Sequence, residues 1–351
     1  MRIIRTLTQI KYINMKSPTT TQCFAIGAAL LCAASTSYGA ALVWTGGNNV
    51  DSNWDLASSW NGGVLPTSSD SVLINQNRRA IIDSDVAFGG ILTNQNTSNT
   101  NHTSQIDVRT GGILAVTTAS NGSSTGGDGL IKVTGGIMTT TGAVRNRDVI
   151  SLESGALSLF NTATGGNNQA LSAAAGSLNV TGGALTAGAA MSSGTIQFYS
   201  AIDISAGSFT TVAQTFFAGT SLTINGDAAT IDLNNLNQTA TRLVDFNFNF
   251  GATNVSSIAS TGFMNLVGAT INVDGSGYAG GAGVFDLITS GNYADDVFAA
   301  SSVTGFAGLD GVVSASGNNL ILTLTTAVPE PGTYALLAGL TGLVFVMVRR
   351  R

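Results

Sequence analysis

One pattern of apolar and polar positions recurs through the middle of the chain: apolar-x-apolar-x-x-Gly-x-apolar. Its copies begin at Ile106, Ile131, Ile150, Leu171, Leu178 and Ile202. The copy at Leu171 has the weakest apolar positions and overlaps the one at Leu178. The two-residue alternation gives each copy a short strand with one apolar face, and the glycine allows a sharp turn after it.

The spacing of these copies predicts how the strands are arranged. From Ile106, the copies at Ile131, Ile150, Leu171 and Ile202 follow after 25, 19, 21 and 31 residues. Such lengths are typical of one coil of a parallel β-solenoid, in which stacked coils bury the alternating apolar side chains in one long core. We therefore predict an all-β fold with a β-solenoid over residues 41–250, clearest in 70–250. A β-sandwich with Gly-rich hairpins is the alternative that this pattern leaves open.

A cluster of tryptophans precedes the repeat. Trp44, Trp54 and Trp60 are the three tryptophans of the chain and lie within 17 residues. A solenoid needs its first coil covered, because an open sheet edge pairs with other chains, and large aromatic side chains can plug that end. We interpret this segment as an N-terminal cap. The alternative is an aromatic platform on which sugar rings stack.

The pattern changes after Phe250. Residues 271–274, 285–288 and 320–324 each alternate like a strand, and the chain around them is rich in glycine, serine and asparagine. These segments predict antiparallel strands with turns at 275–283 and 316–319. We expect residues 251–327 to form a small β-rich terminal module.

The C-terminus has a three-part pattern. Val328, Pro329, Glu330 and Pro331 precede an uncharged run from Gly332 to Val348, which is 17 residues long, and Arg349, Arg350 and Arg351 end the chain. An apolar run of this length followed by arginines predicts a single C-terminal transmembrane helix with a positively charged cytoplasmic stop signal.

This order of residues resembles the PEP-CTERM sorting signal. The resemblance covers residues 328–351 and implies recognition by an exosortase, a membrane protease that cleaves near the Val328–Pro331 motif. The Trp-rich segment and the repeat after it are similar to autotransporter-like β-helix passengers. An ordinary C-terminal membrane anchor is the alternative interpretation of the tail.

The N-terminus predicts export. Basic residues near the start are followed by a short apolar stretch from Phe24 to Ala34 and by small residues around Gly39. This is the pattern of a secretory signal peptide, which we assign to residues 1–40. The expected partners are thus the secretion translocon and then the exosortase. The protein would be held in the inner membrane by its C-terminal helix before processing, and would then lie at the cell surface or outside the cell.

Charge limits the range of partners. Residues 41–327 contain 18 acidic and 7 basic side chains, which gives a net charge of −11. A sparse acidic surface does not bind nucleic acid, which needs clustered Lys and Arg, but it leaves extracellular polysaccharide open as a partner. Cys23 and Cys32 both lie in the predicted signal peptide, so the body has no thiol for a disulfide, a nucleophile or a metal site.

The side chains of the body give little sign of catalysis. Glycosidases use two carboxylates about 5–10 Å apart, and the candidates Asp107, Asp148, Glu153 and Asp203 form no repeated acidic column. The remaining candidates are a lone histidine, a basic pair and two acidic pairs: His102, Arg145 and Arg147, Asp83 and Asp85, and Asp295 and Asp296. We predict no catalytic residue, no metal and no cofactor.

The sequence as a whole indicates an exported, non-enzymatic structural protein of the cell surface or extracellular matrix. Two other functions remain open. One is a polysaccharide lyase or glycoside hydrolase on the same scaffold. The other is a carbohydrate-binding adhesin that uses the tryptophan region.

Overall fold

The computed structural model describes residues 41–46, 50–86, 89–94, 103–122, 128–159, 167–171, 176–188, 195–238, 243–293, 298–327 and 331–350. All of them belong to one compact unit of the chain, Ala40–Arg351. The predicted signal peptide and His102 lie outside the described residues. Most of the described part of the chain is β-strand, which confirms the predicted all-β class.

The strands are short at first and lengthen along the chain. They are β1 (Ala41–Val43), β2 (Asp51–Asn53), β3 (Ser71–Ile74), β4 (Arg79–Ile82), β5 (Asp85–Val86), β6 (Ile91–Asn94), β7 (Thr103–Arg109), β8 (Ile113–Val116), β9 (Thr118–Asn121), β10 (Asp128–Thr140), β11 (Val144–Asn146), β12 (Val149–Leu159), β13 (Asn167–Leu171), β14 (Ser177–Ala187), β15 (Thr195–Phe198) and β16 (Ala201–Phe217). There follow β17 (Thr220–Gln238), β18 (Val244–Asn249), β19 (Ile258–Leu266), β20 (Ala269–Asp274), β21 (Gly283–Tyr293), β22 (Ala300–Thr304), β23 (Leu309–Ser316) and β24 (Asn319–Thr326). A 3-10 helix covers Ala57–Ser59, and the α-helix α1 covers Pro331–Arg349.

Parallel pairing between strands one repeat apart forms three ladders. Ladder A contains β2, β4, β7, the first parts of β10, β12, β14, β16 and β17, and then β18, β20 and β22. Ladder B contains β5, β8, the second parts of the same long strands, and the first paired parts of β19 and β21. Ladder C contains β1, β3, β6, β9, β11, β13 and β15, and continues through the ends of β16, β17, β19 and β21. No antiparallel strand pair occurs among the described residues before β21.

The repeat copies align residue for residue in ladder A. Ile106, Ile131, Ile150, Leu178 and Ile202 are successive register partners. The copy predicted at Leu171 is wrong, because Leu171 lies in ladder C and pairs with Val144 and Phe198. All three ladders alternate with period two, so the pattern by itself cannot tell one ladder from another.

The inward side chains of the ladders form one continuous core. In ladder A the aligned Ile106, Ile131 and Leu178 are fully buried, and Phe198, Phe209, Phe217 and Phe246 are fully buried further along the chain. The buried cluster extends from Leu42 to Leu324. Burial of one such aliphatic or aromatic side chain contributes about 1.5–3 kcal/mol, so this stack is the main source of stability.

Glycines lie at the bends that the repeat predicts. Gly155, Gly183 and Gly207 have φ angles of 83°, 73° and 84°. They also stack closely, since a Cβ built on Gly183 would lie 2.7 Å from the carbonyl oxygen of Gly155. Both the positive φ and the close approach of successive rungs therefore require glycine at this position.

Three asparagines form a buried column in ladder C. Asn94, Asn121 and Asn146 are register partners and are fully buried. The Nδ2 of Asn94 donates to the Oδ1 of Asn121 at 2.9 Å, and the Nδ2 of Asn121 donates to the Oδ1 of Asn146 at 3.0 Å. Each amide also donates to a backbone carbonyl: Leu130, Val149 and Ser177 in turn. The column thus satisfies the three amide nitrogens and the Oδ1 atoms of Asn121 and Asn146, which would otherwise be costly inside an apolar core, while the Oδ1 of Asn94 at its end has no partner among the described residues.

The predicted boundary at residue 250 does not coincide with a change in pairing. β20 pairs in parallel with β18 and β22, so the prediction of an antiparallel strand at 271–274 is wrong. Apart from an isolated antiparallel bridge between Trp44 and Trp60, the antiparallel pairs among the described strands are those of β21, β24 and β23, with β24 in the middle. The turn predicted at 316–319 is confirmed, because Ser316 pairs with Asn319 across the β23–β24 hairpin.

The C-terminal helix differs from the prediction. α1 has 19 residues, which at about 1.5 Å per residue is just short of a 30 Å hydrocarbon core, and Gly339, Thr341 and Gly342 interrupt its apolar run. Within the described residues, no helix is both long and apolar enough to cross a membrane. The prediction of a transmembrane helix is therefore not confirmed.

Candidate functional site

The C-terminal tail consists of an exposed helix that ends in arginine. Pro331 is the first residue of α1, where a proline is tolerated because the first N–H groups of a helix have no partner within it. The large apolar side chains from Leu336 to Val348 are all exposed, with fractional exposures between 50% and 70%. Arg349 lies in the last turn and Arg350 follows it. Val328, Pro329, Glu330 and Arg351 lie outside the described residues.

The sorting segment begins directly where the folded body ends. Thr326, the last residue of β24, pairs with Leu309, and the backbone N–H of Ala327 still donates to the carbonyl of Gly308 at 3.0 Å. Helix α1 begins at Pro331, so only residues 327–330 separate sheet from helix. A protease that cleaves near Pro329 must therefore act within a few residues of the antiparallel sheet.

The three tryptophans pack against one another in the core. Trp44, Trp54 and Trp60 are at most 2% exposed, and their ring centroids are 4.7 to 6.2 Å apart. The indole N–H of Trp60 donates to the carbonyl of Trp54 at 2.9 Å. Their burial leaves no ring face on which a sugar could stack. The structure therefore does not support the sugar-stacking interpretation, and this cluster fits a plug at the start of the core.

The carboxylates considered for catalysis are held by different partners. The Oδ2 of Asp107 accepts from the Nε of Arg109 at 2.8 Å, and its Oδ1 accepts from the hydroxyl of Thr134 at 2.8 Å. The Oδ2 of Asp148 accepts from the backbone N–H of Gly129 at 2.5 Å, and Glu153 forms a 2.9 Å ion pair with Lys132. Asp203 lies four register steps from Asp107, which corresponds to about 19 Å at about 4.8 Å per step. That distance exceeds the separation in which two carboxylates act on one glycosidic bond.

Asp51 lies close to Asp107 and Arg109, a position that the sequence did not reveal. The guanidinium of Arg109 lies between two carboxylates, with its Nη2 2.7 Å from the Oδ2 of Asp51. Hydrogen bonds to Asp107 and then to Asp51 raise the pKa of the Arg109 guanidinium above its ordinary value. One arginine thus pairs with two carboxylates, and the Nη1 of Arg79 lies 3.9 Å from the Oδ1 of Asp51, so these ion pairs connect β2, β4 and β7 of ladder A.

The remaining candidates do not form a site in the described residues. Arg145 and Arg147 flank the buried Asn146, so both side chains point outward. Asp295 and Asp296 lie outside the described residues. Within them, no group of three or more His, Cys, Asp or Glu side chains is placed to hold a metal ion.

Two outward columns on ladder A were not anticipated, and we call them together the outer polar face. In the first column the register partners are Thr223, Asn247, Asn272 and Ser302. In the second they are Asn225, Asn249, Asp274 and Thr304. All members of the two columns except Asn225 line one depression of about 210 Å³. The sequence signal is that asparagine recurs after 24 residues from Asn225 to Asn249 and after 25 residues from Asn247 to Asn272. Only the strand register shows that these residues lie in columns.

The C-terminal tail is similar to a known family. Residues 327–351 match the PEP-CTERM protein-sorting motif, which confirms the tail predicted at 328–351. No curated protein and no solved structure matches this chain. The motif indicates an exported protein that is sorted by an exosortase, which is a membrane protein.

Proposed function

We propose that this chain is an exported, non-enzymatic structural protein whose body is a parallel β-solenoid and whose tail is processed by an exosortase-type protease. The observation that carries the proposal is the sorting motif at residues 327–351, which directly follows an all-β body. The secretion translocon would export the chain, and processing would deliver the body to the cell surface or the extracellular matrix.

The pairing of the strands supports the proposed β-solenoid. Three parallel ladders share a single core, and the aligned residues Ile131, Ile150 and Leu178 advance by one repeat at each step. Each rung buries its apolar face only against its neighbours, which is the arrangement that makes such folds extended and regular. A long stack without disulfides suits a structural role outside the cell.

The surroundings of the carboxylates support a role without catalysis. Asp107 and Glu153 are in ion pairs, and Asp107 and Asp203 are too far apart to act together. A direct test is incubation of the purified protein with neutral and acidic polysaccharides. We expect no release of reducing ends or unsaturated sugars. Release that disappears in Asp107→Asn or Asp203→Asn would contradict the proposal.

Mass spectrometry of the mature protein tests the processing step. In a host that expresses an exosortase, we expect the product to lack the C-terminal residues up to Arg351. The double variant Pro329→Ala/Glu330→Ala should retain them, because the recognised motif is lost. Thr341→Ala is the matched control in the tail, since it leaves the motif and the arginines intact and should be processed normally. A wild-type product that ends at Arg351 would rule out sorting by this route.

A further inference from the structure

We propose that the outer polar face binds a neutral, hydroxyl-rich polysaccharide. The proposal deepens the proposed function and rests on the extracellular location that it implies. The face combines three properties: hydrogen-bonding groups at a regular spacing, side chains held in fixed orientations, and no basic residue in either column. Each property follows from the register of ladder A.

The first column is held by hydrogen bonds that all run in the same direction. The Nδ2 of Asn247 donates to the hydroxyl of Thr223 at 3.1 Å, and the Nδ2 of Asn272 donates to the Oδ1 of Asn247 at 3.0 Å. The hydroxyl of Ser302 then donates to the Oδ1 of Asn272 at 2.7 Å. In the second column, the Nδ2 of Asn249 donates to the Oδ1 of Asn225 at 2.7 Å. These bonds fix the amide orientations before any ligand arrives, which lowers the entropy cost of binding.

Each amide retains hydrogen-bonding capacity after these contacts. A side-chain amide has two N–H donors and two carbonyl lone pairs. Asn247 and Asn272 each use one donor and one lone pair within the column, so one donor and one acceptor remain on each side chain. A sugar hydroxyl both donates and accepts, and therefore matches such a donor–acceptor pair. Both asparagines are only half-buried, which leaves these groups accessible.

Charge determines which polysaccharide the face accepts. Arg242 is the only basic residue between Asp148 and Val348. Asp245 lies on the strand of Asn247, and Asp274 belongs to the second column, where its carboxylate accepts from the backbone N–H and the hydroxyl of Ser276. Within the described residues neither aspartate forms a salt bridge, so an acidic polysaccharide would meet negative charge there and a neutral chain is favoured.

The dimensions suit a segment of a polymer. Four strands about 4.8 Å apart give the column a length of about 14 Å. The depression along it is shallow and lined by polar side chains, which suits an extended chain lying across the rungs. One outward column of ladder B, by contrast, begins with the register partners Ile113, Ile137 and Ala156, whose side chains are apolar and have no hydrogen-bonding groups.

The test is binding of the full processed chain to defined polysaccharides. We would use cellulose, amylose and dextran as neutral probes and alginate as the acidic probe, measured by co-sedimentation or affinity electrophoresis. We expect binding to at least one neutral glucan and weaker binding to alginate. The double variant Asn247→Val/Asn272→Val should lose about tenfold or more in affinity, because two amides that contact the ligand are removed. Valine suits an outward strand position, so the fold should persist.

Two further variants separate binding from folding. Thr186→Val/Thr210→Val changes two register partners on the outward side of ladder B and should bind like the wild type. Asn272→Asp keeps the side-chain shape, removes both donors and adds a negative charge, so its affinity for the neutral glucan should also fall. Equal binding by wild type and Asn247→Val/Asn272→Val would overturn the proposal, as would preferential binding of alginate or no binding to any neutral glucan.

Failure of this proposal can be distinguished from failure of the proposed function. Asn247 and Asn272 are far along the chain from the sorting motif, so the double variant should be processed like the wild type in the mass-spectrometric assay. Normal processing without glucan binding would overturn this inference alone. If the wild-type product from the host with an exosortase binds glucan but still ends at Arg351, the sorting proposal alone would be overturned.

Discussion

Replacement of Asn121 by alanine removes the central member of the buried asparagine column. The substitution deletes the donor to the Oδ1 of Asn146 at 3.0 Å and the donor to the carbonyl of Val149 at 2.9 Å. It also deletes the acceptor of the Nδ2 of Asn94, which keeps its bond to the carbonyl of Leu130 at 3.1 Å. Asn146 therefore loses its partner in the column, while Asn94 is only partly affected.

The expected destabilisation follows from these lost contacts. A buried acceptor that loses its donor costs about 1–3 kcal/mol, and the small cavity left by the truncation adds to this. With the Oδ1 of Asn146 and the carbonyl of Val149 both affected, we expect a decrease of about 2–5 kcal/mol in the free energy of unfolding.

The matched control is the same substitution in the outer column. Asn247→Ala also removes one asparagine that bridges two neighbours in a ladder, with bonds to Thr223 at 3.1 Å and from Asn272 at 3.0 Å. There the remaining groups can bond to water, so we expect a change within about 0.5 kcal/mol. Urea unfolding followed by circular dichroism measures both variants, and midpoints can be compared where the slope m is unchanged.

Two results would refute this reasoning. One is an Asn121→Ala variant whose midpoint equals that of the wild type, which would mean that the buried amides contribute no net stability. The other is an equal loss in Asn121→Ala and Asn247→Ala, which would mean that burial does not determine the cost.

Three further predictions concern the core, the bends and the surface, and each is checked by the same unfolding assay. Gly183→Ala should destabilise the protein by about 1 kcal/mol or more beyond Gly219→Ala, because both have positive φ but only Gly183 has a carbonyl within reach of the added Cβ; equal losses would exclude the stacking contact as the cause. Trp54→Ala should cost about 3–5 kcal/mol because the ring is 2% exposed, whereas Val50→Ala, at 66% exposure, should change stability little; a small loss in Trp54→Ala would contradict the proposed plug. Glu153→Gln should change stability by no more than about 0.5 kcal/mol, since the ion pair with Lys132 is on the surface and partly screened by solvent; a larger loss would show that this pair links the rungs more strongly than exposed ion pairs usually do.

Much of the fold was accessible from local pattern. The alternation around Ile106, Ile131 and Ile150 predicts strands with one buried face, and the glycine after each predicts the bend at positions such as Gly155. The assignment to ladder A failed at Leu171, because apolar residues alternate with the same period of two in ladder C as in ladder A. It failed again at 271–274, where neither periodicity nor composition distinguishes a parallel from an antiparallel partner.

The candidate sites show the same division. The sorting motif could be read from the sequence because its residues are adjacent, and the match at 327–351 confirms it. The shared ion pairs of Arg109 with Asp51 and Asp107 could not be read, because Arg109 and Asp51 are 58 residues apart. The tryptophans were found as a cluster, but whether they face solvent or core depends on the strands that surround them.

By itself, the sequence determined the properties that depend on adjacent residues or on composition: strand-forming periodicity, glycine at the bends, an acidic body without cysteine, and a sorting tail. The tertiary structure alone decided which distant residues share a column, since register depends on loop lengths that vary between repeats. Asn94, Asn121 and Asn146 meet inside the core, whereas Asn247 and Asn272 meet on the surface. The same residue type therefore stabilises the fold in one place and offers hydrogen bonds to a ligand in the other, because the strand face on which it lies sets its exposure to water.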